Sequence, residues 1–212
     1  MKNLFALLIF LSGVFLSSCT VTQEFYFNKD FSGTYKSTID MSQFIGAVKS
    51  LDTSTTGTSD FKDSLNLLLD EANKKLQGTG VSNLKVGWTN NDVMFLSYDF
   101  ADIDVLNKAL NKSVMAKNEN GDRKDFVYFE QKGKKLIYNG QSPDDLSDEG
   151  KDLGKMKDYY KYKLSFTFER TIKKTDNDKY KISDDRHKAT LTAPLFDITK
   201  SGFNSKVKFK LK

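Results

Sequence analysis

The nine residues Tyr160-Lys161-Tyr162-Lys163-Leu164-Ser165-Phe166-Thr167-Phe168 (YKYKLSFTF) alternate without a break between apolar and polar side chains. A period of two puts Tyr160, Tyr162, Leu164, Phe166 and Phe168 on one face of a β-strand and Lys161, Lys163, Ser165 and Thr167 on the other. Such a strand belongs in a sheet with one dry and one wet face, the habit of antiparallel rather than fully buried parallel sheets. The alternation recurs in KATLTA (188–193) and at the end of the chain, where Val207, Phe209 and Leu211 oppose Lys206, Lys208 and Lys210. Upstream, KDFVYFEQKGKKLIYN (124–139) reads as a hairpin turning at Gln131-Lys132-Gly133. The second half of the chain is thus strand-rich.

The first half mixes periods. A strand is expected from Gln23 to Asn28, with Phe25 and Phe27 on its apolar face, and a hairpin through Asn28-Lys29-Asp30 leads into GTYKSTIDM (33–41). Asp40 is placed to cap a short helix from about Met41 to Lys49, and Gln43 completes a capping-box spacing. The segment SLDTSTTGTSD (50–60) has no apolar period and reads as a loop closed by Asp60 as a helix cap. From Phe61, the residues Leu65, Leu68, Leu69, Ala72 and Leu76 recur at helical spacing, and Gly78 stands where that helix should stop. VSNLKVGWTNNDVMFLSYDF (81–100) reads as two strands about an Asn-Asn-Asp turn, and Asp102 and Asp104 start a helix whose apolar face is Ile103, Leu106 and Leu110. The order strand, strand, Asp cap, helix occurs twice and suggests a duplicated ββα unit. Together the pattern predicts an α+β domain: an antiparallel β-sheet with two or three helices packed on one face and a strand-rich C-terminal half.

The chain opens on LFALLIFLSGVFLSSC, Leu4 to Cys19. Its apolar run, Leu4 to Leu16, falls short of the roughly 20 residues a membrane-spanning helix needs. Lys2 precedes it and Ser17 and Ser18 follow, the layout of a secretory signal. Leu16-Ser17-Ser18-Cys19 resembles the lipobox of bacterial lipoproteins. That resemblance implies a signal peptide over residues 1–18, a single mature domain over 19–212, and acyl chains on Cys19 that attach the protein to a membrane. Each buried lipid CH₂ contributes about 0.8 kcal/mol, so two or more chains hold stably where one does not. Cys19 is the only cysteine, so the mature domain forms no internal disulfide and must stand on its core.

The 33 basic and 28 acidic residues are interspersed and sum to +5, one unit less once Lys2 leaves with the signal. A nucleic-acid platform usually concentrates its basic residues on one face, so no nucleic-acid partner is expected.

Candidate chemistry is sparse. His187 is the only histidine, so a Ser-His-Asp or Cys-His nucleophilic arrangement would have to be built on it; within SDDRHKA it reads as an exposed turn residue. His187 with Asp184 and Asp185 lacks the further ligands of a zinc site. DLSDEGKDLGKM (145–156) begins like a calcium loop, with Asp145, Ser147, Glu149 and Gly150 at the right offsets, but Met156 stands where the closing bidentate Glu belongs. No GxxxxGKS or GxGxxG phosphate loop occurs, and no Asp/Glu pair stands out for glycoside hydrolysis. No catalytic, cofactor or metal residue is therefore assigned. Lys161, Lys163, Lys206, Lys208, Lys210 and Lys212 suggest a basic stripe for lipid headgroups or acidic glycans, against the plain alternative of edge-strand protection. Tyr26, Tyr35 and Trp88 suggest an apolar cleft, against the plain alternative of core.

Taken whole, the mature chain resembles small lipoproteins of the Bacteroidetes in FSGTYKSTIDMSQF, GVSNLKVGWTNNDVMFLSYDF and LSFTFERTIKK. The resemblance implies a fold layout and no particular activity. Thr20 rather than Asp after the cysteine resembles an outer-membrane-directed label, and the lack of an acidic run before Phe25 points to the periplasmic face. The expectation is a non-enzymatic, lipid-anchored envelope module that binds a protein or envelope component. Its rivals are a carrier of a lipid or other apolar ligand, which needs a cavity of several hundred Å³ between helices and sheet, and a hydrolase using paired carboxylates.

Overall fold

A computed structural model describes residues 19–43, 45–46, 56–113, 125–140, 160–194, 197 and 203–212. Its strands in chain order are β1 (Cys19–Phe27), β2 (Gly33–Asp40), β3 (Ser82–Thr89), β4 (Val93–Phe100), β5 (Phe129–Lys132), β6 (Lys135–Tyr138), β7 (Tyr160–Phe168), β8 (Ile172–Thr175), β9 (Lys181–Ile182), β10 (Lys188–Pro194) and β11 (Val207–Leu211). Helix α1 (Thr56–Leu76) lies between β2 and β3, and α2 (Ile103–Ser113) follows β4. The strands form a seven-stranded sheet, in the order β3-β4-β2-β1-β7-β10-β9, and a four-stranded sheet, β5-β6-β11-β8. The protein is an α+β fold.

Aromatic residues in register hold the large sheet together. Tyr98 of β4 stands opposite Tyr35 of β2, Tyr35 opposite Phe25 of β1, and Phe25 opposite Phe166 of β7. The ring centroids along this row are 5.1, 4.8 and 5.4 Å apart. The next row runs Phe100, Gly33, Phe27, Phe168. Gly33 is required there by space: a Cβ on it would stand 1.8 Å from the Tyr26 carbonyl oxygen and 2.9 Å from the Phe100 ring. With that gap open, Phe27 and Phe100 meet edge-on at 5.7 Å across the glycine.

The aromatic face is covered by two layers side by side. Over β1, β7 and β10 lies the small sheet, whose Leu136, Tyr138, Phe209 and Leu211 are buried, with Phe209 5.1 Å from Phe166 and 5.0 Å from Phe168. Over β3, β4 and β2 lie the helices: Trp88 Nε1 of β3 donates to Asn66 Oδ1 of α1 at 2.8 Å, while Ile103, Leu106, Ala109 and Leu110 of α2 enter the same core. Asn107 and Asn111, one helical turn apart, each make two amide bonds of 2.8–2.9 Å to the backbone of Phe129 and Phe126. These bonds clamp α2 to the approach to β5.

Local signals explain most boundaries. The Asp102 carboxylate accepts from the Val105 amide at 2.8 Å, an N-cap bond. Gly78, at φ 78°, ends α1 in the left-handed conformation. Asn90 and Asn91 both take positive φ in the tight β3–β4 hairpin. The Asp40 carboxylate accepts from the Ser42 amide and hydroxyl, and Ile45 N donates to Met41 O at 2.9 Å. That opens a helical turn; Lys49 lies outside the described residues.

Several expectations are corrected. β1 starts at Cys19 rather than at Gln23, because backbone pairing with β2 and β7 carries the strand through polar Thr20 and Thr22. It pairs with β7 in parallel, the other pairings being antiparallel among the described strands. α1 starts at Thr56, so Asp60 is inside it rather than its cap; once nucleated, a helix adds residues at little cost even through Ser and Thr. The β5–β6 turn falls at Gly133-Lys134, one residue later than expected, since Gly133 supplies the positive φ. β8 and β9 were not foreseen. β11 is an interior strand rather than an edge, and Lys161 and Lys163 sit in the other sheet, so the six lysines make no single stripe.

Candidate functional site

A half-open cavity of about 210 Å³ lies between α1 and the large sheet. Its floor is Gln23 and Phe25 of β1, Tyr35, Ser37 and Ile39 of β2, and Met94 and Leu96 of β4, with Leu68, Leu69 and Ala72 of α1 as the roof. Tyr128 and Tyr138 close the side facing the small sheet, and Leu110 and Ser113 of α2 the other. Its chemistry follows from strand alternation: the floor residues are the inward set of each strand, and among the described residues no Asp, Glu, His, Lys or Arg lines it.

The polar groups on this wall are hydroxyls and one amide. Tyr162 Oη donates to Gln23 Oε1 at 2.8 Å, fixing the amide at the floor. Burial pushes the Tyr35 phenol up to about 12, against a smaller opposing effect from its hydrogen bond with Ser37. Burial likewise raises Tyr98, Tyr138 and Tyr162. Near neutral pH these phenols are protonated and do not accept protons as bases. An apolar body bearing a carbonyl or hydroxyl is the chemistry the wall matches.

The tyrosines also set an alkaline limit. The folded-state value of Tyr35 lies above its unfolded value of 10.0, so the neutral phenol's contribution is complete below pH 10 and is lost as pH rises through about 12. Two units correspond to roughly 2–3 kcal/mol for this residue, and Tyr98, Tyr138, Tyr162 and Tyr180 shift the same way. The phenolate absorbance of the buried tyrosines is expected to rise in one cooperative step together with loss of β circular dichroism above pH 10, while exposed Tyr26 ionises without unfolding. Independent titration of the tyrosines with the fold intact at pH 12 would contradict this.

A wider groove of about 680 Å³ lies between α2 and β5, with Asp102, Asp104, Asp125 and Glu130 among its walls. Asp102 is spent on the helix cap. Hydrogen bonds from Lys132 and Asn139 hold the Glu130 carboxyl below its ordinary value, opposite to the direction a general acid needs.

The sequence-assigned positions fall as follows. Cys19 is half-buried at the first residue of β1, opposite Tyr160, with Thr20 already paired to Asp40. Residues 1–18 lie outside the described residues, as does the calcium-like stretch of Asp145, Ser147, Glu149, Gly150 and Met156. His187 is half-buried rather than exposed, its Nδ1–H donating to Phe168 O at 2.7 Å, and Asp185 accepts from Ser183 Oγ and from the His187 amide. Among the described residues, no group of three or more His, Cys, Asp or Glu side chains is gathered for a metal. Of the three aromatic residues considered for a cleft, Tyr35 lines the cavity, Trp88 braces α1, and Tyr26 is on the opposite, solvent face. Sequence reading missed Gln23, Ser37, Leu68 and Tyr128; strand and helix phases mark three of them as inward, but no local pattern brings them together.

Fold and cavity define an α+β domain with an uncharged internal site. No protein-family model matches the sequence and no curated protein matches it. Among solved structures the chain is similar to the NMR structure of the folded domain of LppM from Mycobacterium tuberculosis, at 11% identity and a TM-score of 0.45, covering 92% of this chain and 90% of that one. At that level of likeness the functional reading rests on this chain's own residues. No helix among the described residues is long and apolar enough to cross a membrane.

Proposed function

We propose that the protein is a lipid-anchored, non-enzymatic binding module of the cell envelope, held by acyl chains on Cys19 at the periplasmic face of the outer membrane, and that its helix–sheet cavity takes the apolar part of a membrane-derived ligand. The observation that carries this reading is the uncharged wall of the cavity. It favours the apolar-ligand alternative over docking of a protein on the sheet and over carboxylate-based hydrolysis.

Position supports it as well. Val21 pairs with Ile39, and Ile39 with Met94, so the cavity lies at the end of the sheet where β1 starts. Gln23 is four residues from Cys19, about 13 Å along the strand, and an acylated Cys19 leaves no spacer between membrane and sheet. At about 210 Å³ the cavity is smaller than the several hundred Å³ that a carrier of a whole lipid needs, but it exceeds the roughly 150 Å³ known to hold benzene and suits a small apolar group or part of a chain.

The test is titration of the purified acylated protein with a fluorescent fatty acid, beside the variant Ala72→Trp, which fills the cavity from α1. The wild type is expected to give saturable uptake, and A72W at least a tenfold loss with an unchanged or raised melting temperature. Absence of saturable uptake by the wild type overturns the proposal, and so does undiminished uptake by A72W.

A further inference from the structure

The small sheet carries a row of four lysines, one from each strand. Lys132 of β5 stands opposite Lys135 of β6, Lys135 opposite Lys210 of β11, and Lys210 opposite Lys174 of β8. All four are exposed, on the face turned away from the core, where Lys206 and Lys208 also stand. Lys132 is paired with Glu130 at 2.8 Å; among the described residues Lys135, Lys174 and Lys210 make no ion pair. Like charges directly opposite one another destabilise a sheet. Edge protection accounts for lysines on β5 and β8, the outer strands, but Lys135 and Lys210 belong to interior strands with no free edge to guard. The row has a cost that folding does not explain.

We propose that this row is a docking surface for an acidic glycan chain carrying a carboxylate on successive sugars. Neighbouring strands are about 4.8 Å apart, so the four ammonium groups form a line about 14 Å long, which suits a linear polyanion such as a polyuronate better than a single anion. The anchoring membrane is not the partner. Leu211 N bonds to Lys134 O, Lys212 N to Thr171 O, and Glu169 N to Phe27 O, which sets the row at the Phe27 end of β1, about 25 Å along the strand from Cys19. Only this exclusion rests on the proposed anchoring; the match of charge and length does not.

The test is retention of full-length protein, in phosphatidylcholine nanodiscs, on immobilised polygalacturonate. The wild type is expected to be retained, to elute with added salt, and to pass through a neutral galactan column. The variant Lys135→Gln/Lys210→Gln is expected to lose at least tenfold in affinity while melting no lower than wild type, because repulsion is removed. No retention of the wild type, or equal retention of the variant, overturns the proposal. So does flotation of the wild type with phosphatidylglycerol vesicles that the same variant loses, which would make the partner a lipid surface. Should the chain prove unacylated, it runs on the same columns as a soluble protein, so the glycan test survives failure of the anchor.

Discussion

Phe166→Ala is expected to be among the most destabilising single substitutions in the chain, lowering stability by about 4–5 kcal/mol, the upper part of the range for losing a buried Phe. Phe166 is fully buried on the central part of β7, with ring centroids of Phe25, Phe129, Tyr138, Tyr180 and Phe209 at 5.4, 6.1, 5.2, 5.9 and 5.1 Å. Its ring meets rings of both sheets. Its removal takes away transfer free energy and leaves a hole whose walls are two strand ladders that cannot close upon it, and aromatic pairs add about 0.5–1.5 kcal/mol beyond area. With a single cysteine there is no disulfide to offset the loss, and total stabilities of domains are only about 5–15 kcal/mol. At a urea slope of about 2 kcal/mol/M, the midpoint is expected to fall by roughly 2 M. Tyr26→Ala, on the exposed face, is the control and should change stability by under about 0.5 kcal/mol. A fall in midpoint no larger for F166A than for Y26A would show that the two sheets do not share this core.

Why some of this was legible and some not is a matter of sequence distance. β7 reads directly because one face of it is buried along its length, and period-two alternation reports that. The Asp102 cap, the Asn90-Asn91 hairpin and Gly78 read directly because capping and turn chemistry act within three or four residues. The partner of β7 does not read: β1 is more than a hundred residues earlier, and its Phe25 and Phe27 would alternate identically beside any neighbour. The same blindness misplaced β11, since Lys206, Lys208 and Lys210 report a wet face whether the strand is an edge or interior. IKKT and KI, the cores of β8 and β9, are too short and polar to show a period; their pairing with β11 and β10 defines them. The cavity is the extreme case, its wall assembled from three strands, two helices and two residues of the approach to and end of the small sheet. Inwardness of most wall residues was readable, Tyr128 before β5 being an exception, but a void is a failure of packing between elements and leaves no local mark.

Cys19→Ala, made behind a cleavable signal that needs no lipobox, is expected to move the protein from the membrane pellet to the soluble fraction, with nearly complete transfer after a carbonate wash. Among the described residues no helix is long and apolar enough to cross a bilayer, and the lysine row stands at the far end of β1 from Cys19. At about 0.8 kcal/mol per buried CH₂, losing two or more chains removes far more than the few kcal/mol by which a peripheral protein hovers at a surface. The same substitution should scarcely touch the fold. Cys19 is half-buried at the very start of β1, and its register with Tyr160 is made by backbone groups that alanine keeps. The purified variant is therefore expected to match the wild type in melting temperature and in uptake of an apolar probe, separating anchorage from binding. A variant still held in washed membranes, or a wild-type mass showing an unmodified thiol, would remove the anchor and with it the orientation that sets the cavity toward the bilayer.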